Sequence, residues 1–417
     1  MAMTIAEKIF AAHSGKESVK PGDLIFAKLD RILGTDVTCS LSIKVFEEMG
    51  VEKVHNPDQL VLVNDHFVPA KDIKAAQLSK NMREFGQQQG VKNYFEVGRS
   101  GICHTVLPEN GLAKPGDLIV GADSHTCTYG AVGAVASGIG STDMAAAWAI
   151  GELWFRVPST IRVEITGDLQ EWVGAKDVIL YIISQLGVEG AIYKILEFHG
   201  STIENMSMDG RFTIANMAVE AGAKSGVIPA DDTTLAFMDQ VGVKDAQPIE
   251  ADPDAEYEKI IEIDVSELKP QVAKPYLPSN AVDVDEVAGT RIDQVAIGSC
   301  TNGRIEDFEM AYRILKGKKI HPLVRVVIMP SSDKIYAELI DNGFAREFVA
   351  AGATIAPSTC GLCIGGHMGV LAEDEVGLYT TNRNFVGRNG HPSSQVFLSG
   401  PAVAAASAIA GEIVSPK

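Results

Sequence analysis

Cysteine is scarce in this chain: 417 residues hold six thiols, at Cys39, Cys103, Cys127, Cys300, Cys360 and Cys363. With no secretory leader readable in "MAMTIAEKIF", so thin a supply argues against a disulfide framework and predicts thiol or metal chemistry in a cytoplasmic protein. Long apolar runs are also lacking. The most apolar region, residues 129–155, is interrupted by Asp143 and crowded with Gly and Ser, which predicts buried loop plus helix and no membrane span. Positive charge is in deficit: the net charge of −18 argues against nucleic acid, including an RNA-binding regulator, and against anionic membranes. Nucleotide-binding loops are missing as well. "GIGSTD" (138–143) has Asp143 where a dinucleotide loop needs its third glycine, and no G-x-x-x-x-G-K-[ST] occurs. No internal repeat or low-complexity tract is found.

What is present suits an ordinary folded protein, with 46% hydrophobic residues. At ~150 residues per domain the length suggests about three. One boundary falls near Pro158, where an Ala-rich helix gives way to the alternating strand "TIRVEITG". The most linker-like stretch is 268–284, with three prolines. The expected units are therefore 1–157, 158–283 and 284–417.

One pattern recurs: a short apolar run ending in reactive side chains. "LVLV" (60–63) leads into Asp65 and His66, and "DLIV" (117–120) into Asp123, Ser124 and His125. "QVAIG" (294–298) leads into Cys300, "ATIAP" (353–357) into Cys360 and Cys363, and "VGLYT" (376–380) into Asn382 and Arg383. Open α/β sheets bind ligands beyond the carboxyl ends of their strands, so five such ends predict a polar cleft between α/β units.

The two thiols of "STCGLCIGG" form a lone C-x-x-C, and Cys300 is the natural third ligand. Three thiolates suit three corners of a 4Fe–4S cluster and leave the fourth iron free to act as a Lewis acid. His367 would instead complete a Cys₃His zinc site in a binding or scaffold protein, and buried thiols without metal are a third reading. Spacing leaves all three open. Asp65–His66, Asp123 with His125, and His104 are candidates for proton transfer. Arg383 and Arg388 flank a turn and suit a carboxylate. Asn216 and Glu220, four apart, are expected on one helix face.

Taken together, "GADSHTCTYGAVGAVASGIGSTDMA", "IGSCTNGRIEDF", "STCGLCIGGHMGVL" and "TTNRNFVGRNGHP" resemble the aconitase superfamily, in the same order along nearly the whole chain. The resemblance implies three α/β/α domains around a central cleft holding a 4Fe–4S cluster with one labile, non-cysteine-ligated iron. It implies Cys300, Cys360 and Cys363 as ligands, and Asp65, His66, His104, Asp123, His125 and Glu220 as the acid–histidine network. By the same match, Arg383 and Arg388 bind substrate carboxylate, while Ser124, Asn216 and Asn382 line cluster and substrate. The superfamily's swivel domain is expected to lie on a separate chain. The resemblance is therefore to its two-subunit hydro-lyases, and implies a small subunit carrying that domain and a catalytic serine. The implied reaction is a 3-isopropylmalate-type isomerisation of a 2-hydroxy dicarboxylate, with homoaconitate hydration or 2,3-dimethylmalate dehydration as alternatives. One departure stands out. Where many relatives have an "HD-x-T-x-P"-like stretch, this chain reads "LGTDVTCSLS" (33–42), with Cys39 and no histidine, so altered substrate surroundings are expected there.

Overall fold

A computed structural model describes residues 2–417. Four of the five short apolar runs become largely buried parallel strands, and the fifth, Thr354–Ile355, is a short, partly exposed edge strand. Leu60–Val63, for example, is fully buried along its whole length, as parallel strands covered by helices require. Each such side chain withdrawn from water contributes about 1.5–3 kcal/mol toward folding before entropy is counted.

The first sheet runs Asn93–Phe95, Leu60–Val63, Arg31–Thr35, Leu118–Gly121, Val135–Gly138, all parallel. Its winding reverses at Arg31–Thr35, so a crevice opens beyond the carboxyl ends of that strand and its neighbours. Asp36, Asp65, His66 and Asp123 follow directly from those ends. The second sheet runs Ser225–Val227, Ile195–His199, Thr160–Thr166, Lys259–Asp264, again parallel. The third has seven strands, in the order Ala281–Asp283, Gln271–Ala273, Gln395–Ser399, Val376–Tyr379, Gln294–Gly298, Arg325–Met329, Thr354–Ile355. A two-stranded antiparallel ribbon pairs Leu24–Lys28 with Glu152–Arg156. Helices pack against the sheets, giving the α/β architecture expected of an aconitase-like chain.

Three local expectations need correction. The Pro-rich stretch 268–284 is not a free linker. Gln271–Ala273 and Ala281–Asp283 pair antiparallel and extend the third sheet, so sheet membership changes between Asp264 and Gln271, ahead of the 283/284 division. Its prolines fall outside the paired residues, where no ladder donor is lost. Residues 129–155 contain the strand Val135–Gly138 and the start of the ribbon strand as well as the helix Ser141–Ile150. Finally, the helix Met208–Asn216 ends at Asn216 and a 3₁₀ turn, Met217–Ala221, carries Glu220.

Buried polar ties join the units. Lys176 Nζ, from the helix Ala175–Leu186, donates to the carbonyls of Thr380 (2.8 Å) and Thr381 (2.6 Å) just past the strand Val376–Tyr379. Burial pushes its ammonium down to about 7. Among the described residues no helix is long and apolar enough to cross a membrane.

Candidate active site

The strand ends of the first and third sheets converge on a cavity of about 510 Å³. It is lined by His66, His104, Asp123, Ser124, His125, Cys300, Cys360, Cys363, Asn382, Arg383 and Arg388. The other three expected residues lie just behind this lining. Asp65 stands under His66, Asn216 against Cys300, and Glu220 between His125 and Arg383.

A continuous acid–base chain crosses the cavity. His66 Nδ1 lies 2.6 Å from Asp65 Oδ1, and its Nε2 lies 3.4 Å from Asp123 Oδ2. Asp123 Oδ1 meets His104 Nε2 at 2.9 Å and accepts the His125 backbone N–H at 2.8 Å. His125 Nε2 reaches Glu220 Oε1 at 2.8 Å. Arg383 Nε contacts both Glu220 oxygens, at 2.8 and 3.1 Å, and its Nη1 donates to Ser124 Oγ at 2.9 Å. Burial alone would lower the His66 pKa. The charge on Asp65, the hydrogen bonds to Asp123 and Asp65, and the charge on Asp36 outweigh it and raise the value well above 6.5. Burial would raise the Asp123 pKa, but His104, His125 and His66 together hold it well below the carboxylate range. Burial and the Arg383 charge oppose protonation of His125, yet its bonds to Asp123 and Glu220 raise it. The arrangement can hold a proton on His66 near neutral pH beside a carboxylate that stays ionised.

The three thiols are buried with Ile102, and half-buried Ile364 packs against them. Cys300 rides on a single helical turn, Ser299–Asn302, after the strand Gln294–Gly298. Gly298 makes that turn: its φ is 136°, and a Cβ there would lie 2.0 Å from the Met329 carbonyl. The loop of Cys360 and Cys363 is tied to the acid–base chain, because the Cys360 N–H and the Thr359 hydroxyl both donate to the Asp65 carbonyl at 2.8 Å. Asn216 Nδ2 donates to Cys300 Sγ at 3.3 Å, and Cys363 Sγ donates to Asn382 Oδ1 at 3.3 Å. Arg388 Nε donates to the Cys363 carbonyl at 3.0 Å. The Cys363 thiol is held below its ordinary pKa by the hydrogen bond from Cys360, with help from the Arg388 charge.

With this geometry in view, the comparison with known proteins is decisive. The family described as "Aconitase family (aconitate hydratase)" matches residues 7–411. The chain belongs to the aconitase family. Among the curated relatives of this aconitase-family chain, the 3-isopropylmalate dehydratase large subunit of Moorella thermoacetica is 55% identical over 417 residues, covering 100% of this chain and 99% of that protein. The 3-isopropylmalate dehydratase large subunit 1 of Pyrococcus furiosus is 54% identical, covering 100% and 98%. Thermococcus kodakaraensis aconitase X aligns over 92% of this chain and 94% of that chain at 13% identity, with a TM-score of 0.49.

Aconitase-family membership implies a 4Fe–4S cluster, and the donor set fits one. Asn216 Nδ2 at 3.3 Å and Asn382 Nδ2 at 3.6 Å both aim N–H groups at Cys300 Sγ, an arrangement suited to thiolate. A single zinc ion fits poorly. Tetrahedral Zn–S bonds of about 2.3 Å put sulfurs about 3.8 Å apart. Among the described residues the one set of three or more ligand atoms within 4.8 Å of each other is Asp36, Asp65 and His66, not the thiols. His367, the zinc reading's fourth ligand, is engaged elsewhere: its Nε2 lies 3.1 Å from the His66 carbonyl and its ring packs on Phe67.

Asn216 and Glu220 reach the site for a different reason from the one expected. They do not share a continuous helix face. The 3₁₀ turn after Asn216 swings Glu220 toward His125 and Arg383. In the 33–42 stretch, Cys39 points into the core against Gly34 and leaves the cavity to Val37. The residue sequence reasoning missed is Asp36. Fully buried, it accepts the backbone N–H of His66 (3.0 Å), Phe67 (2.9 Å) and Asp65 (3.3 Å), so it shapes the turn that presents His66. The signal was available, since Asp36 follows a strand end just as Asp65 and Asp123 do. Replacing Asp36 with Ala strands three buried donors. The expected result is at least ~2 kcal/mol lost in urea unfolding and a kcat about 10²-fold lower from a displaced His66, with Asp36→Asn recovering part of both.

Proposed function

We propose that this chain is the large subunit of a two-subunit hydro-lyase of the 3-isopropylmalate dehydratase type, acting on a 2-hydroxy dicarboxylic acid in the cytoplasm. The observation that carries the reading is one cavity lined by three buried thiols, two arginines and an unbroken acid–histidine chain. The full-length identity to large subunits of that name supports it.

Cys300, Cys360 and Cys363 hold the cluster. When bound, it supplies a Lewis-acidic iron, labile and without a cysteine ligand, that makes a hydroxyl a better leaving group. The remaining chemistry belongs to side chains. Arg383 and Arg388 bind the substrate carboxylate; beyond Cys363, Arg388 has no side-chain hydrogen bond among the described residues. Removing the proton next to that carboxylate builds negative charge on it, so fixed cations lower the barrier. The small subunit's serine takes this proton. His66 gives a proton to the departing hydroxyl, which leaves as water. Asp65, on Nδ1, keeps the ring oriented and charged, while Asp123, held by His104 and His125, faces Nε2. Reversal at the neighbouring carbon restores water and completes the isomerisation. Ser124, Asn216 and Asn382 position Arg383 and the thiols.

Turnover by the purified chain with reconstituted cluster, with and without its small subunit, tests this division of labour. The chain alone is expected to retain the cluster's colour but lose at least ~10²-fold in rate, the usual contribution of a positioned base. Full turnover without a partner would refute the two-subunit reading.

A further inference from the structure

The catalytic cavity lies beyond the carboxyl ends of the first sheet's strands; the other end of that sheet carries a surface that the chemistry does not use. The ribbon of Leu24–Lys28 and Glu152–Arg156 stands there, since Lys28 leads into the amino end of Arg31–Thr35. A groove of about 200 Å³ beside it is lined by Leu118, Val135 and Ile195, each the first residue of its strand, and by Trp154, Arg156 and Tyr193. One face of the ribbon belongs to the core: Ile25, Ala27 and Leu153 are buried. The opposite face is open. Leu24 is 68% exposed, Phe26 65% and Trp154 63%, and half-buried Tyr193, whose hydroxyl donates to the Arg156 carbonyl at 3.2 Å, extends the apolar surface. Alternation along paired strands gathers such side chains on one side, and an open apolar sheet face marks an interaction surface.

Register makes this face self-complementary. Its three cross-strand rows are Leu24 opposite Arg156, Phe26 opposite Trp154 and Lys28 opposite Glu152. Two copies stacked face to face are related by a two-fold axis lying between them. If the axis runs across the strands, each strand covers its own copy in reverse. Phe26 then meets Phe26, Trp154 meets Trp154, and Arg156 meets Glu152 at both ends. If the axis runs along the strands, Phe26 meets Trp154 and Lys28 meets Glu152, each twice. Neither stacking opposes like charges. Among the described residues Lys28 and Glu152 form no ion pair with each other, although they face one another across the ribbon.

A chain of net charge −18 repels its own copies over most of its surface. This face carries two cations, Lys28 and Arg156, and one carboxylate, Glu152, so approach here is not opposed. Burying an aromatic side chain removes about 150–250 Å² from water. The exposed parts of Phe26, Trp154 and Leu24 therefore supply roughly 300–400 Å² of apolar centre, in an interface that typically removes about 800 Å² per partner. We infer that the outer face of this ribbon is the docking surface for a second copy of the chain, forming a two-fold dimer with Phe26 and Trp154 at its centre. Because the ribbon stands at the amino ends of the strands, the cavity stays open to the small subunit, and the assembled enzyme holds two of each subunit.

Sedimentation of the cluster-loaded chain at micromolar concentration, alone and with its small subunit, tests this. The wild-type chain is expected to sediment as a dimer in both preparations. Trp154→Glu is expected to raise the dimer dissociation constant at least ~30-fold, the loss typical of an aromatic hot spot. Its circular dichroism, iron content and turnover per site should match wild type, because the side chain is exposed and lies at the end of the sheet away from the cavity. Charge exchange reads the axis. Arg156→Glu weakens the dimer and added Glu152→Arg restores it if the axis runs across the strands; Lys28→Glu and Glu152→Lys do so if it runs along them. Rescue by neither pair would overturn the face-to-face stacking. A wild-type chain that stays monomeric in both preparations, or a Trp154→Glu dimer as tight as wild type, would overturn the docking surface. Loss of small-subunit binding in Trp154→Glu would overturn it too, by giving this face to the small subunit.

Discussion

Protein carrying Cys363→Ser, purified anaerobically with its partner, is expected to lose visible absorption and most of its iron. Turnover should fall by about 10³-fold or more. Cys363 is tied into the site at three points. Its sulfur meets Asn382, its carbonyl meets Arg388, and its thiol is held toward the ionised form by Cys360 and the Arg388 charge. A thiolate is the form that binds metal, and serine is a far weaker ligand at neutral pH. Lewis-acid assistance is worth several kcal/mol of transition-state stabilisation, which converts to roughly 10³-fold in rate. Cys39→Ala is the control. That thiol is buried in the first unit's core, away from the cavity, so its loss is expected to lower stability while iron content stays normal. Iron and colour retained in Cys363→Ser, or lost equally in Cys39→Ala, would remove the basis for assigning the ligands.

His66→Gln should separate proton transfer from cluster binding. Iron is expected to remain, because the tie from this turn to the thiol loop runs through backbone carbonyls of residues 65 and 66 and not through the ring. The rate is expected to fall ~10²–10⁴-fold, the range for a positioned general acid. The pH profile carries the sign. A raised His66 pKa keeps the acid form populated past neutrality, so wild-type activity should decline as pH rises through that value. The pair's contribution to stability follows the same rule: it is complete below the unfolded histidine pKa of about 6.5 and lost as pH climbs through the folded value. Asp65→Asn removes the leading cause of the upward shift, so the alkaline limb should move to lower pH. A limb that stays put in this variant would show that another group carries the proton.

Much of this was readable in the chain. Apolar runs such as "LVLV" and "QVAIG" announce buried parallel strands because only Val-, Ile- and Leu-rich segments survive coverage on both faces. Their polar successors announce the site because strand ends are where such sheets open. Other features were illegible for physical reasons. The 268–284 segment looked like a linker because proline signals loops, but the partner strand Gln395–Ser399 lies more than a hundred residues away and leaves no local trace. Asp36 resembled an ordinary helix-start aspartate until the 65–67 turn folded onto it.

Residue types and order, then, determined by themselves that this is an α/β protein bearing three thiols, paired acids and histidines, and two arginines, because local patterning and chemistry are written one residue at a time. Only the tertiary structure decided that the three thiols line one cavity without closing into a tight three-ligand set, that His367 turns to a backbone carbonyl, and that Val37 and Leu78 wall the cavity. Those outcomes depend on distances between segments tens to hundreds of residues apart, and on apolar side chains whose type says nothing of whether they face a core or a ligand.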